Sequence, residues 1–193
     1  MNNDRKMAMR SKFEPVDEAL IQIPPADVSH VRRKWLDLPY AGISQAQKRD
    51  IYLPPEGNGP FPIVLHIHGG AFAIGDKRDI HLMSFLSGLE RGYAAVSVNY
   101  RSTRITDISD TVRRASPLTY VHAAMPPILI QHGRMDAMVP VRQSMGLVQK
   151  LEETGSPDRF EFDIMENAGH GDPLFETDAN MNRVFQFLDR YLK

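Results

Sequence analysis

The 193-residue chain contains no cysteine, so disulfides, a thiolate nucleophile, thiolate metal sites and iron–sulfur clusters are excluded. No apolar stretch approaches the ~20 residues that a membrane-spanning helix needs, and the polar first residues lack the apolar run of a signal peptide. Long blocks of one charge sign are also missing, with 23 Lys and Arg against 24 Asp and Glu. These absences predict a cytoplasmic protein that binds neither nucleic acid nor a membrane.

The composition is that of a globular protein with one core. Hydrophobic residues make up 42% and charged residues 24%, which leaves enough apolar material for a packed interior. The length predicts a single domain over residues 1–193. Residues 1–30 show no sustained apolar period, and Pro24-Pro25 would break a helix, so this part is predicted as an irregular lead-in.

Strand-like and helix-like apolar patterns alternate along the rest of the chain. The predicted strands cover residues 31–40, 47–53, 61–67, 93–100, 126–131 and 159–165. The predicted helices cover residues 82–91, 108–115, 141–153 and 181–192. The first two strands alternate in polarity and predict an edge hairpin, whereas the nearly continuous run 61–67 predicts a strand buried on both faces. Strands alternating with helices indicate an α/β fold with a largely parallel sheet.

Two glycines follow the predicted strand 61–67, in the sequence His68-Gly69-Gly70-Ala71-Phe72. Glycines at the carboxyl end of a strand let the backbone approach a ligand closely and aim its N–H groups at a developing oxyanion. This predicts an oxyanion hole formed by Gly69, Gly70 and Ala71. The alternative is a tight turn that only closes the strand.

A carboxylate and a histidine follow the last two predicted strands. Asp136 comes after strand 126–131, and His170 comes after strand 159–165 with a glycine on each side. A carboxylate at a strand end can accept the imidazole Nδ1–H and leave Nε2 free as a base. The alternatives are that Asp136 caps the next helix and that His170 is an ordinary polar residue.

Three segments of the chain resemble one family. The segment HGGAFAIGDK resembles the oxyanion-hole segment of α/β-hydrolase esterases, in the branch of the hormone-sensitive lipase and the feruloyl and acetyl-xylan esterases. The segment HGRMDAMVP resembles that family's HGxxDxxVP, and GHGDP resembles the loop of its catalytic histidine. The resemblance implies a carboxylesterase for small acyl or aryl esters, in which Asp136 orients the base His170. It implies neither a cofactor nor a metal.

The G-x-S-x-G nucleophile elbow of that family is absent from the sequence. The family places two further strand–helix units between the segments that match Arg101 and Ser116, and here only about 15 residues separate them, where such units need on the order of 60–90. The resemblance therefore implies an internal deletion. Ser102 ranks first as a substitute nucleophile because it follows a strand end, and Ser116 is second. The alternative is that both are surface or helix-capping hydroxyls.

The predicted fold is a contracted α/β-hydrolase-like three-layer sandwich, with a mostly parallel sheet of about six strands and an N-terminal antiparallel hairpin. Two arrangements close the gap: strand 126–131 lies beside strand 61–67, or an unpaired edge is covered by a second chain. The second arrangement favours a homodimer. Two functions follow. The chain hydrolyses esters on a substitute nucleophile or on water, or it is a catalytically silent remnant that only binds ligands or partners.

Overall fold

The computed structural model describes residues 23–70, 74–100, 116–154 and 157–193. In these ranges the strands are β1 (Lys34–Pro39), β2 (Lys48–Tyr52), β3 (Ile63–Ile67), β4 (Ala94–Val98), β5 (Ile128–Gly133) and β6 (Phe160–Met165). The α-helices are α1 (Leu82–Leu86), α2 (Arg142–Glu153) and α3 (Asp178–Leu192). Short 3₁₀ helices cover Leu89–Arg91, Pro117–Tyr120, Pro157–Arg159 and Pro173–Glu176. The predicted helix over 108–115 lies outside the described residues. None of the described helices combines the length and apolar character that crossing a bilayer requires.

The strands form two sheets rather than one. The first has the order β1-β2-β4-β3, with β1 and β2 antiparallel, β2 and β4 antiparallel, and β3 and β4 parallel. The second is the parallel pair β5-β6. The N-terminal antiparallel hairpin is therefore confirmed. The prediction of one mostly parallel sheet of about six strands is wrong, because the six strands divide into a mixed sheet of four and a parallel sheet of two.

Strand β3 is buried on one face only, which corrects the prediction from its apolar run. His66 is 3% exposed and faces α1, with its ring 4.5 Å from that of Phe85. The opposite face exposes Ile63, Leu65 and Ile67, at 60%, 51% and 62%. A strand face is buried by an element that packs onto it, and α1 packs onto the His66 face. Within the described residues β3 also ends its sheet, because strand β5 pairs with β6 rather than with it. The apolar run predicts burial on both faces of the strand, but in the described residues only one face of β3 is buried.

Within the described residues β3 has a neighbouring strand on one side only, which bears on the predicted homodimer; the homodimer stays a prediction. Unpaired apolar strand edges readily pair with another chain unless charge, proline or a bulge blocks them, and β3 (IVLHI) has none of these. We expect light scattering on the purified chain to give the mass of a dimer. A monomeric mass across a range of concentrations would contradict this expectation.

The hydrophobic core packs the first sheet against α1 and against residues of the lead-in. Its main cluster contains Tyr52, Leu82, Leu86, Leu89 and Ala95, with Ala26 and Val31 from the lead-in. Helix α3, which follows β6, packs against the same half through Phe185, whose ring lies 5.5 Å from that of Tyr93. The Tyr93 hydroxyl donates to Asp189 on α3. Helix α3 therefore ties the second sheet to the first.

A buried ion network fixes residues 76–79 to the first sheet. Lys77 is 3% exposed and its Nζ lies 2.8 Å from Asp37, while Arg78 donates to the fully buried Asp50 at 2.5 Å. Hydrogen bonds from Lys77 and Arg78 lower the pKa of Asp37 to about 2. The Ser97 hydroxyl of β4 donates to the Lys77 carbonyl at 2.6 Å. These contacts anchor the chain just beyond the glycine-rich segment that follows β3.

Candidate active site

The carboxyl ends of β5 and β6 carry the two loops that hold the predicted acid–base pair. The strands are parallel, with Gly133 paired to Met165 at their last position. Because parallel strands end at the same edge of a sheet, the segments that follow these two residues leave the sheet side by side. This brings together Asp136 and His170, which are 34 residues apart in sequence.

The close approach of the two loops requires glycine at position 133. The Met135 N–H donates to the Ala168 carbonyl at 3.0 Å, which joins one loop to the other through the backbone. A Cβ on Gly133 would stand 2.3 Å from the Ala168 oxygen and 2.8 Å from the Gly169 oxygen. The missing side chain therefore sets how near the histidine loop comes to the aspartate loop.

Asp136 is held by three donors. Its Oδ1 accepts hydrogen bonds from the Met138 N–H at 2.9 Å and the Val139 N–H at 2.7 Å, and its Oδ2 lies 2.8 Å from His170 Nδ1. The side chain is 6% exposed. Burial raises the pKa of this carboxyl, but hydrogen bonds from Val139, His170 and Met138 outweigh burial, so the pKa of Asp136 lies below its ordinary value. The carboxylate is therefore ionised at neutral pH.

His170 presents a free ring nitrogen to solvent. An ionised carboxylate only accepts hydrogen bonds, so Nδ1 carries the hydrogen and Nε2 of the neutral ring carries the lone pair. The side chain is 49% exposed. Among the described residues, no serine hydroxyl hydrogen-bonds to this ring. The pair therefore has the geometry of a general base with its orienting carboxylate, open to an incoming molecule.

Asp172 shapes the loop around His170. Its carboxylate accepts from the Gly169 N–H and the Leu174 N–H, both at 3.0 Å, and these two bonds lower its pKa. Gly171 has a φ of +58°, in the left-handed region that favours glycine. The histidine thus lies on a tight turn whose ends are tied to the side chain of Asp172.

The predicted oxyanion hole stays a prediction, and the structure describes two of its three residues, Gly69 and Gly70. The N–H groups of Gly69 and Gly70 have no acceptor within the described ranges. Gly70 has a φ of +123°, and a Cβ there would stand 1.9 Å from the Ile74 oxygen. His68, which precedes the glycine pair, is held by Tyr100. The Tyr100 hydroxyl donates to the His68 carbonyl at 2.7 Å, and the two rings stack with their centroids 4.6 Å apart. Ala71, the third predicted donor, lies outside the described residues.

Of the two candidate nucleophiles, the structure describes only Ser116. Ser102 lies outside the described residues. Ser116 precedes the 3₁₀ helix Pro117–Tyr120, and its hydroxyl makes no capping hydrogen bond there. No contact between Ser116 and His170 occurs among the described residues. Of the predicted site residues, the described structure brings Asp136 and His170 together. The glycine pair follows β3, which belongs to the other sheet.

One hydrogen bond links the two halves of the candidate site. His81, which precedes α1, lies beyond the glycine segment, and Glu176 ends the 3₁₀ helix that follows the histidine loop. Their Nδ1 and Oε1 atoms are 2.6 Å apart. The contact joins the chain after the glycine pair to the chain after His170.

Sequence reasoning missed two residues that support the aspartate loop. His132 on β5 and Ser144 on α2 are hydrogen-bonded to each other at 2.7 Å. His132 also contacts the Val139 carbonyl at 2.7 Å. A histidine four residues before Asp136 is the signal in the sequence, but its contact with α2 depends on how that helix packs against the strand.

Two family models match the chain, one in each half. The model named BD-FAE matches residues 49–108, and that of the prolyl oligopeptidase family matches residues 99–193. Two curated proteins of Mycobacterium tuberculosis strain H37Rv are also similar. Esterase LipQ is 33% identical over 75 residues, and the probable carboxylic ester hydrolase LipM is 46% identical over 39 residues. These matches cover 39% and 20% of this chain, and 18% and 9% of the two relatives.

Several solved structures share the fold at low sequence identity. A truncated form of a carbohydrate esterase from gut microbiota is similar with a TM-score of 0.73 and 17% identity, over 88% of this chain and all of that one. The bifunctional GH43-CE protein of Bacteroides eggerthii has a TM-score of 0.71 and 17% identity, over 83% of this chain and 35% of its own. Native esterase 2 of Thermogutta terrifontis has a TM-score of 0.65 and 13% identity, over 90% and 95%.

Proposed function

We propose that this chain, which belongs with the α/β-hydrolase esterases, hydrolyses carboxylic esters of small acyl or aryl groups. The observation that carries the proposal is the 2.8 Å contact between His170 Nδ1 and Asp136 Oδ2 on a half-exposed imidazole. That arrangement supplies a base with a fixed tautomer at the point where two parallel strands end. The relatives named above are esterases or ester hydrolases, which supports the same reaction class for this chain.

In the proposed reaction, His170 Nε2 takes the proton of an attacking O–H group as its oxygen adds to the ester carbonyl carbon. The resulting imidazolium is stabilised by the ionised Asp136, and the oxyanion by N–H donors of Gly69 and Gly70, with Ala71 as the third. The imidazolium then returns its proton to the leaving alkoxide as the C–O bond breaks. With water as the attacking group, the products are one carboxylic acid and one alcohol.

The attacking group has two candidates within this proposal. In the first, the Ser102 hydroxyl attacks, and a second cycle with water releases the acyl group from the serine oxygen. In the second, water attacks directly, without a covalent intermediate. A fluorophosphonate that reacts with activated serines separates them. A single adduct that maps to Ser102 supports the covalent route, and ester turnover without any adduct supports direct attack by water.

The test of the proposal is hydrolysis of p-nitrophenyl acetate and butyrate by the purified chain. We expect turnover that His170→Ala lowers by about 10²–10⁴-fold, the usual contribution of a positioned general base. The matched control is His30→Ala, which removes an exposed histidine with no hydrogen bond in the described structure and so corrects for hydrolysis by free imidazole. Equal rates in all three proteins, or no turnover in the parent chain, would reject the esterase in favour of a silent, ligand-binding remnant.

A further inference from the structure

A second imidazole lies against the aspartate that orients His170. His132 is the next-to-last residue of β5, and its side chain is 11% exposed. Its Nε2 lies 2.7 Å from the Val139 carbonyl oxygen and 3.5 Å from Asp136 Oδ2. Its Nδ1 lies 2.7 Å from the Ser144 hydroxyl on α2. The ring thus fills the space between the aspartate loop and the helix that follows it.

The contacts determine which ring nitrogen of His132 carries the hydrogen. A carbonyl oxygen only accepts hydrogen bonds, so the 2.7 Å contact with Val139 requires Nε2–H. In the neutral ring Nδ1 then carries a lone pair, which accepts the hydrogen of the Ser144 hydroxyl. The opposite tautomer would set a lone pair of Nε2 against the carbonyl oxygen and against the ionised Asp136. The Val139 carbonyl therefore sets the tautomer of His132, and the Ser144 hydroxyl, which can donate or accept, adapts to it and holds Nδ1.

The same contacts hold the backbone that binds Asp136. The Val139 carbonyl oxygen accepts a hydrogen bond from His132 Nε2–H, and the Val139 N–H donates one to Asp136 Oδ1 at 2.7 Å. His132 Nε2 also lies 3.5 Å from Oδ2, the oxygen that binds His170. One carboxylate oxygen therefore has two imidazole rings beside it, a mostly buried one at 3.5 Å and a half-exposed one hydrogen-bonded through Nδ1–H.

We infer that His132, held at Nδ1 by the Ser144 hydroxyl and at Nε2 by the Val139 carbonyl, is a positioning residue that holds the aspartate loop so that Asp136 Oδ2 faces His170. The inference rests on the proposed function only in taking Asp136 and His170 as the acid–base pair. His132 touches no reacting atom and acts through Asp136. Its effect is on the tautomer and orientation of the His170 ring.

The first test reads the ring nitrogens directly, so it does not require turnover. Long-range ¹H–¹⁵N spectra of the histidine-labelled chain distinguish protonated from unprotonated ring nitrogens. We expect His170 to show Nδ1–H in the parent chain, a mixture of both tautomers in His132→Ala, and Nδ1–H again in His132→Gln, whose amide N–H reaches about as far as Nε2–H. An unchanged His170 signature in a folded His132→Ala protein would overturn the inference.

The Ser144 variants keep the test decisive if His132→Ala does not fold. Ser144→Ala removes only a hydroxyl from a half-buried helix position, and Ser144→Thr keeps that hydroxyl. We expect His132 to carry Nε2–H in the parent chain and in both variants, because the Val139 carbonyl sets that tautomer. We expect His170 to show some of its second tautomer in Ser144→Ala and Nδ1–H alone in Ser144→Thr, because only the first variant removes the contact that holds the His132 ring. No difference between the two variants at His170 would contradict the positioning role.

Kinetics then separate this inference from the proposed function. If the parent chain hydrolyses p-nitrophenyl butyrate, we expect His132→Ala to lower kcat on the order of tenfold, as the loss of one hydrogen bond to a key group would, with KM little changed. His132→Gln should recover most of the loss. If the parent chain has no turnover, the proposed function fails and the spectra still decide the role of His132. A Gln variant as impaired as the Ala variant would count against positioning by the N–H group.

Discussion

Replacing Asp136 with asparagine is expected to lower kcat/KM for p-nitrophenyl esters by about 10³–10⁴-fold with the fold intact. The reason lies in the donors around the side chain. The Met138 and Val139 N–H groups both point at the Oδ1 position, so the amide oxygen of asparagine must take that place. The amide NH₂ then faces His170 Nδ1, which has to accept a hydrogen bond instead of donating one. The ring hydrogen moves to Nε2, and the base is lost.

Steady-state kinetics and the ¹H–¹⁵N spectrum of His170 check this expectation together. Asp158→Asn serves as the control, because it removes the same charge from an exposed position with no hydrogen bond in the described structure. We expect that variant to behave like the parent chain. If Asp136→Asn retained the parent kcat/KM while His170 had changed tautomer, another group would be the base. If the tautomer were unchanged, the assignment of the donors to Asp136 would be wrong.

Replacing Gly133 with alanine is expected to separate the two loops of the site. The new Cβ would stand 2.3 Å from the Ala168 oxygen, 2.7 Å from the Ala168 carbonyl carbon and 2.8 Å from the Gly169 oxygen. All three atoms belong to the backbone, so the histidine loop has to move. We expect a loss of about 1–3 kcal/mol in the free energy of unfolding, as overpacking usually causes. The displaced His170 should also lose its contact with Asp136 and most of its activity.

A second glycine provides a control in which alanine is expected to raise the stability of the chain instead of lowering it. Gly146 lies inside α2, and a Cβ there would have no heavy atom within 4 Å. Alanine at this position should therefore stabilise the chain by about 0.4–1 kcal/mol, because it restricts the unfolded backbone and favours the helix. Thermal unfolding measures both variants, at about 2–4 °C of midpoint shift per kcal/mol for a chain of this size. A Gly133→Ala protein as stable and as active as the parent would refute the role assigned to this close approach.

The local elements and the contact between Asp136 and His170 were accessible from sequence. The helix predicted over 141–153 is α2, and the strand predicted over 159–165 is β6. Both patterns are long enough, and regular enough, to report the local backbone without knowledge of their neighbours. Asp136 and His170 were found because each follows a strand, and the ends of adjacent parallel strands meet. The predicted internal deletion stays a prediction, since residues 101–115 are outside the described part of the chain.

The sequence by itself determined the α/β class, the N-terminal hairpin and the Asp136–His170 pair, because these depend on short-range periodicity and on residues close to strand ends. Only the tertiary structure decided that the strands divide into two sheets and that one face of β3 is uncovered. Hydrogen-bonded pairing between strands is a long-range choice, which an apolar run does not encode. The support of Asp136 by His132, and the need for glycine at 133, were likewise decided by packing. The Gly133 contact joins residues 133 and 168, and the His132 ring is held by Ser144 on a helix 12 residues further along the chain.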